Sequence, residues 1–193
     1  MRSTVRRWMV VSLLLLMTGG ASWWVYEKCF AWKKFAVVAD GILYRSGLLR
    51  PEQLAEAIDR YQIKTVFSFT YSGADDCQKV CQEKKVRRYF AYLPGDGVGP
   101  DDPYLRFIEI ASDPANQPLL VHCSAGVQRT GGAVALFRSV VQGWDFQRSV
   151  AEMVSMGNEG RTEQIEQLRH LRDELTRSGR CLIDIPRMAS SRR

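Results

Sequence analysis

Short apolar strands alternating with helices predict an α/β fold with a mainly parallel central sheet flanked by helices. Three observations carry this. Apolar, β-branched or aromatic runs recur at 63–69, 88–93 and 119–122. A helical pattern follows each of them. At the third, a glycine-containing loop stands between strand and helix, the arrangement of a phosphate-binding loop.

Residues 8–26 carry no charge; Arg2, Arg6 and Arg7 precede them, and Glu27 and Lys28 follow. A helix of about 20 apolar residues crosses the hydrocarbon core of a bilayer. Trp8, Trp23, Trp24 and Tyr26 stand at the two ends, as interfacial aromatics do. Residues 1–27 are therefore expected to be an N-terminal membrane anchor or signal segment. A single-pass anchor is preferred to export after signal cleavage, because apolar character resumes beyond Gly19-Gly20-Ala21. A soluble helix is the third reading. The arginines favour a cytoplasmic N-terminus, with the following domain on the other side; Lys28, Lys33 and Lys34 pull against that orientation.

Residues 28–179 are expected to be the main domain. Asp40-Gly41 between Val37-Val38-Ala39 and Ile42-Leu43-Tyr44 signals a hairpin. Residues 51–60 read as a helix with Pro51 in its first turn and Leu54, Ala55 and Ile58 on one face. A strand over 63–69, a helix over 75–84 and a strand over 88–93 follow. Next come a Gly/Pro-rich loop, a helix over 103–111 with Asp102 at its N-cap, the strand 119–122 and a helix beginning at Thr130. Helices over 145–156 and 162–177 complete the domain, and residues 180–193 are a basic tail.

The loop after the third strand holds the chemistry. Five residues, Ser124, Ala125, Gly126, Val127 and Gln128, separate Cys123 from Arg129. They must turn sharply into a helix, and Gly126 permits the φ values required. In such a turn successive N–H groups point inward at a helix N-terminus and attract an anion. The same field stabilises a thiolate at Cys123. Arg129 brings a planar fork for two phosphate oxygens, Thr130 a hydroxyl for the Cys123 sulfur, and His122 a ring to bond nearby backbone and fix the loop. Together they imply attack of Cys123 on phosphorus, a phosphocysteine, and its hydrolysis by water, with no metal or cofactor. The candidate general acid is Asp96, within Leu93-Pro94-Gly95-Asp96-Gly97-Val98-Gly99-Pro100. Its composition predicts a flexible loop that closes over a bound ester. Asp101 and Asp102 compete for that role. Arg45 reads as a buried structural arginine, and Asn158, Glu159 and Arg161 as turn and cap residues.

The run His122-Cys123-Ser124-Ala125-Gly126-Val127-Gln128-Arg129-Thr130-Gly131 resembles the signature of the cysteine-based protein tyrosine phosphatases. An acid loop before the nucleophile resembles their dual-specificity branch. Gly41-Ile42-Leu43-Tyr44-Arg45-Ser46-Gly47, with Ile63-Lys64-Thr65-Val66, is similar to the opening of compact atypical members. The resemblance covers residues 35–160. It implies Cys123, Arg129 and Asp96 as catalytic residues, and Ser124, Ala125, Gly126, Val127, Gln128, Arg129 and Thr130 as the phosphate-binding set. Two departures stand out: Thr70-Tyr71-Ser72-Gly73 replaces a charged loop, and the acid loop lies close to Cys123 in sequence.

The net charge of +6 suits anionic substrates or membrane surfaces. No basic stripe interleaved with aromatics argues for nucleic acid. Partners are expected to be a phosphorylated protein, small molecule or lipid, and a membrane through the N-terminal segment. Five cysteines fit one reactive thiol plus others, with Cys77 and Cys81 as two thiols on one helix face. The competing function is a non-catalytic phosphate-binding module; sulfur-transfer or arsenate-reducing chemistry is a third.

Overall fold

The computed structural model describes residue 8 and residues 31–179. The chain divides into two compact units, Met1–Trp32 and Lys33–Arg193. The expected anchor over 1–27 (Trp8 apart) and the tail over 180–193 lie outside the described residues. Among the described residues, no helix is long and apolar enough to cross a membrane.

The second unit runs β1 (Ala36–Ala39), β2 (Leu43–Ser46), α1 (Pro51–Tyr61), β3 (Thr65–Ser68), α2 (Ala74–Glu83), β4 (Arg87–Phe90), α3 (Asp102–Ser112), a 3-10 turn (Pro114–Asn116), β5 (Leu119–His122), α4 (Gln128–Val140), α5 (Phe146–Ser155) and α6 (Thr162–Ser178). Five strands form one sheet in the order β1-β2-β5-β3-β4. β1 is antiparallel to β2, and the other pairs are parallel. The fold is the expected α/β one.

The hairpin closes on its own side chains. Gly41 takes φ 68°, and the Tyr44 hydroxyl donates to Asp40 Oδ1 (2.9 Å) while accepting from Gly41 N (3.0 Å). Alternation then sorts the sheet residues. Leu43, Phe67, Leu119 and Val121 join the core beneath α3, α4, α5 and α6, with Tyr104, Phe107, Leu136, Phe137, Met153 and Leu168. Tyr44 and His122 turn to the opposite face, where they meet Tyr61 at the end of α1 and Cys77 on α2.

Two boundaries depart from expectation in ways that matter for the site. β3 and β4 stop before the apolar runs do, and beyond their ends the carbonyls of Phe69 and Leu93 accept from Arg129. Asp102 lies in the first turn of α3 rather than at its cap. Asp101 holds the cap position, but its carboxylate accepts from Gln167 Nε2 at 2.7 Å instead of capping the helix.

Candidate active site

The parallel strands deliver Cys123 to the carboxyl end of β5, where open α/β sheets place their ligands. Cys123 is buried, as are Arg129 and Thr130. Residues 124–127 make the turn, and Gln128 opens α4 with Arg129 inside its first turn, earlier than the sequence predicted. All the expected cradle residues are thus brought together.

Gly126 is indispensable to the shape. It takes φ +74°, and a Cβ there would stand 2.5 Å from Gly47 N. The end of β2 therefore packs directly against the loop: Leu48 N donates to Ser124 O (3.2 Å), and Arg45 Nη2 donates to Gly126 O (2.8 Å). With that carbonyl tied back, Gly126 N points at Cys123 Sγ from 3.2 Å. Arg45 is 2 % exposed, so it is the structural arginine expected, a brace behind the loop rather than a second substrate contact.

Burial raises the Cys123 pKa. The Thr130 hydroxyl, the backbone N–H groups of Thr130 and Gly126, and the charge of Arg129 outweigh it, and the thiol is held below its ordinary value. The Thr130 hydroxyl makes no hydrogen bond of regular geometry, and the Cys123 sulfur is the group it stabilises.

Arg129 is oriented before any ligand is considered. Nη1 donates to Phe69 O (3.1 Å) and Leu93 O (3.3 Å), and Nη2 to Ser124 Oγ (3.2 Å). Nε is buried without an acceptor. The edge left for an oxyanion is therefore the Nε/Nη2 side of the fork. Ser124 Oγ is held by Thr70 Oγ1 at 2.8 Å and donates to Ser72 Oγ at 3.4 Å. The Thr70-Tyr71-Ser72 segment that departs from the family pattern thus packs against the cradle.

His122 is placed differently from expectation. Strand alternation turns it away from the loop, with Nε2 3.9 Å from Cys77 Sγ and Nδ1 unpartnered. Cys77 and Cys81 are free thiols 4.0 Å apart on one face of α2, as expected. The Cys81 thiol, against the opposing effect of burial, and then His122 hold Cys77 below the ordinary thiol range.

Asp96 lies on the loop leading into α3 and makes no hydrogen bond to the cradle. Its Oδ2 pairs with Arg161 (3.2 Å), and Oδ1 accepts from Val98 N (3.1 Å). The flexible loop predicted from composition is instead fastened. Leu93 O is held by Arg129, Gly97 O accepts from the Tyr104 hydroxyl (2.8 Å), and Gly99 N donates to Gln167 Oε1 (3.4 Å). Tyr104 is raised by burial, so its hydroxyl stays protonated and able to donate. Sequence reasoning passed over Tyr104, Gln164 and Gln167. One signal for Gln164 was available: it is a polar residue continuing the buried stripe of Leu168, Leu171 and Leu175.

Residues 101–173 match a family described as a DSP-PTPase phosphatase fused to NAD+ kinase. The chain is 34% identical over 111 residues to the dual specificity protein phosphatase TpbA of Pseudomonas aeruginosa strain UCBPP-PA14, covering 58% of this chain and 49% of that protein. It superposes on the crystal structure of P. aeruginosa TpbA with a TM-score of 0.62 and 29% identity, over 78% of this chain and 98% of that one. Over the matched residues the chain is similar to the cysteine-based protein tyrosine phosphatases, and to their dual-specificity branch in particular. A second relative is the inositol diphosphatase DSP3 of Arabidopsis thaliana, 29% identical over 114 residues, 57% of this chain and 55% of that one. The core catalytic domain of Siw14 from S. cerevisiae shares the fold, with a TM-score of 0.62 and 22% identity over 77% of this chain and 94% of that one. The chain spans about half the length of the curated relatives it matches.

Proposed function

We propose that this chain hydrolyses phosphomonoesters through a phosphocysteine intermediate, without a metal. The observation that carries this is the pairing of a buried, depressed Cys123 thiol with an Arg129 fork already fixed by two backbone carbonyls. The Cys123 thiolate attacks phosphorus as the bond to the leaving oxygen breaks, and Asp96 gives that oxygen a proton. Water then attacks phosphorus, Asp96 takes the water proton, and the P–S bond breaks to restore the thiolate. Loop amides and the Nε/Nη2 edge of Arg129 hold the equatorial oxygens throughout.

The rim supports aryl phosphates as substrates. Tyr71 stacks on Tyr92 with centroids 5.0 Å apart and lies 4.6 Å from Phe90, yet Tyr71 is 65 % exposed. Its neighbours Thr70 and Ser72 both reach cradle residue Ser124. An exposed aromatic ledge beside a phosphate cradle suits a flat leaving group. The P. aeruginosa relative has been crystallised with phosphotyrosine.

The deciding experiment is hydrolysis of p-nitrophenyl phosphate with chelator present, by wild type, Cys123→Ser and Asp96→Asn. Turnover in wild type, none in Cys123→Ser and a strong fall in Asp96→Asn support the reading. The competing reading is a phosphate-binding module, and the pairing of Asp96 with Arg161 rather than with a cradle residue favours it. It wins if folded wild type binds inorganic phosphate without turnover.

The N-terminal segment supports a further part of the proposal: residues 8–26 anchor the chain in a membrane, with the domain on the side opposite the N-terminus. Uncharged length and flanking aromatics support it. Full-length protein should stay in the membrane pellet through alkaline carbonate, and release into the supernatant would overturn the anchor.

A further inference from the structure

Gln164 is fully buried, and its amide is fully used. Nε2 carries two hydrogens: one goes to the Tyr104 hydroxyl (3.0 Å) and the other to Gln128 O (3.0 Å). Oε1 accepts from Asn158 Nδ2 (3.1 Å). Tyr104 passes the connection on, donating to Gly97 O (2.8 Å). Gln128 precedes Arg129, and Gly97 follows Asp96. One side chain on α6 thus joins the loop that carries the nucleophile to the loop that carries the acid.

Space has been cleared for this junction. Gly97 has φ +83°, and a Cβ there would collide with the Gln164 amide; a Cβ at Gly132 on α4 would stand 2.5 Å from the Tyr104 hydroxyl and 2.7 Å from Gln164 Nε2. Gln164 and Gln167 stand three residues apart on one face of α6, and Arg161 is the residue at its N-cap. All three serve the acid loop: Arg161 pairs with Asp96, Gln164 acts through Tyr104, and Gln167 bonds Gly99 and Asp101. The backbone N–H groups of Gly97, Val98 and Gly99 all have acceptors.

We propose that Gln164 and Tyr104 are positioning residues that hold the Asp96 loop in register with the Cys123 cradle before substrate arrives, so that the acid loop is preset rather than closed by the ligand. The proposal rests on the phosphomonoesterase reading, with Asp96 as acid. The polarity of the chain makes an amide necessary at position 164. A carboxylate of the same shape would set an acceptor against Gln128 O and draw the Tyr104 proton away from Gly97 O.

The test uses the full chain and two esters that differ in their need for a proton. Phenyl phosphate has a poor leaving group, whereas 2,4-dinitrophenyl phosphate departs unaided. Asp96→Asn should lower kcat/KM for phenyl phosphate by about a hundredfold or more and leave the dinitrophenyl ester far less affected. Tyr104→Phe and Gln164→Glu should repeat that selectivity, losing on the order of tenfold on phenyl phosphate. Neither should lose anything further when combined with Asp96→Asn. Equal losses on both esters, or additive losses in the double variants, would mean that the two residues only support folding, and the proposal would fall. Hydrogen exchange on unliganded wild type is a check that needs no variant. The amides of Gly97, Val98 and Gly99 should be protected, and exchange at the rate of an open loop would overturn a preset loop. Wild type that turns over neither ester would instead remove the esterase reading, and the positioning role of Gln164 and Tyr104 with it.

Discussion

Cys123 is held between two opposing influences, burial against donated hydrogen bonds, and the outcome is a thiol below its ordinary value. In the proposed reaction the thiolate is the attacking species, so kcat/KM should fall as pH drops through the Cys123 pKa. Because that pKa is lowered, this limb of the profile lies on the acid side of an ordinary thiol. Thr130→Val keeps the shape of the side chain and removes the hydroxyl that contributes most to the lowering. The acid limb should therefore move to higher pH, and alkylation of Cys123 by iodoacetamide should move with it. An unmoved limb would assign the depression to the backbone and Arg129 alone. The same residue-scale geometry separates Arg129 from a lysine. A point charge cannot bond two carbonyls and Ser124 while leaving an edge for phosphate.

At the scale of elements, the cradle depends on a loop that crosses the end of β2 at backbone distance. Gly126→Ala places a side chain on a left-handed residue, at about 1–2 kcal/mol. It also drives a methyl against Gly47, where overpacking adds about 1–3 kcal/mol. The variant should melt several degrees lower and lose inorganic-phosphate binding, both visible in a thermal scan with and without phosphate. Unchanged phosphate stabilisation would show that the loop tolerates reshaping. This cradle was legible in the sequence because its parts, Cys123 to Thr130, are consecutive and sit between a readable strand and a readable helix. The acid loop was legible only in composition. Glycine and proline predicted mobility, while the groups that fasten it, Tyr104, Gln164 and Gln167, lie on two helices and carry no local pattern linking them to Asp96. The misplacement of His122 has a simpler cause. Strand alternation sends neighbours to opposite faces, so a residue beside the nucleophile in sequence ends up against Cys77 on the far side of the sheet.

For the molecule as a whole, the question is which phosphate esters reach the cradle. Tyr71→Ala removes the outer ring of the ledge while leaving Thr70 and Ser72 on Ser124. KM for phosphotyrosine should rise by about three- to tenfold, in line with the value of one aromatic pair, while kcat and the inhibition constant of inorganic phosphate stay put. An equal rise in both constants would make Tyr71 part of the cradle itself. The close approach of Gly126 to Gly47 has a consequence for transplantation. The ten-residue signature contains the reactive groups but not the wall that shapes them, because Gly47, Leu48 and Arg45 supply that wall from a strand far earlier in the chain. Grafting His122-to-Gly131 alone between a strand and a helix of a foreign scaffold would carry over the nucleophile without its geometry. The minimal portable unit is a pair of neighbouring parallel strands, each with its own turn, and inheritance of this chemistry has to preserve both together.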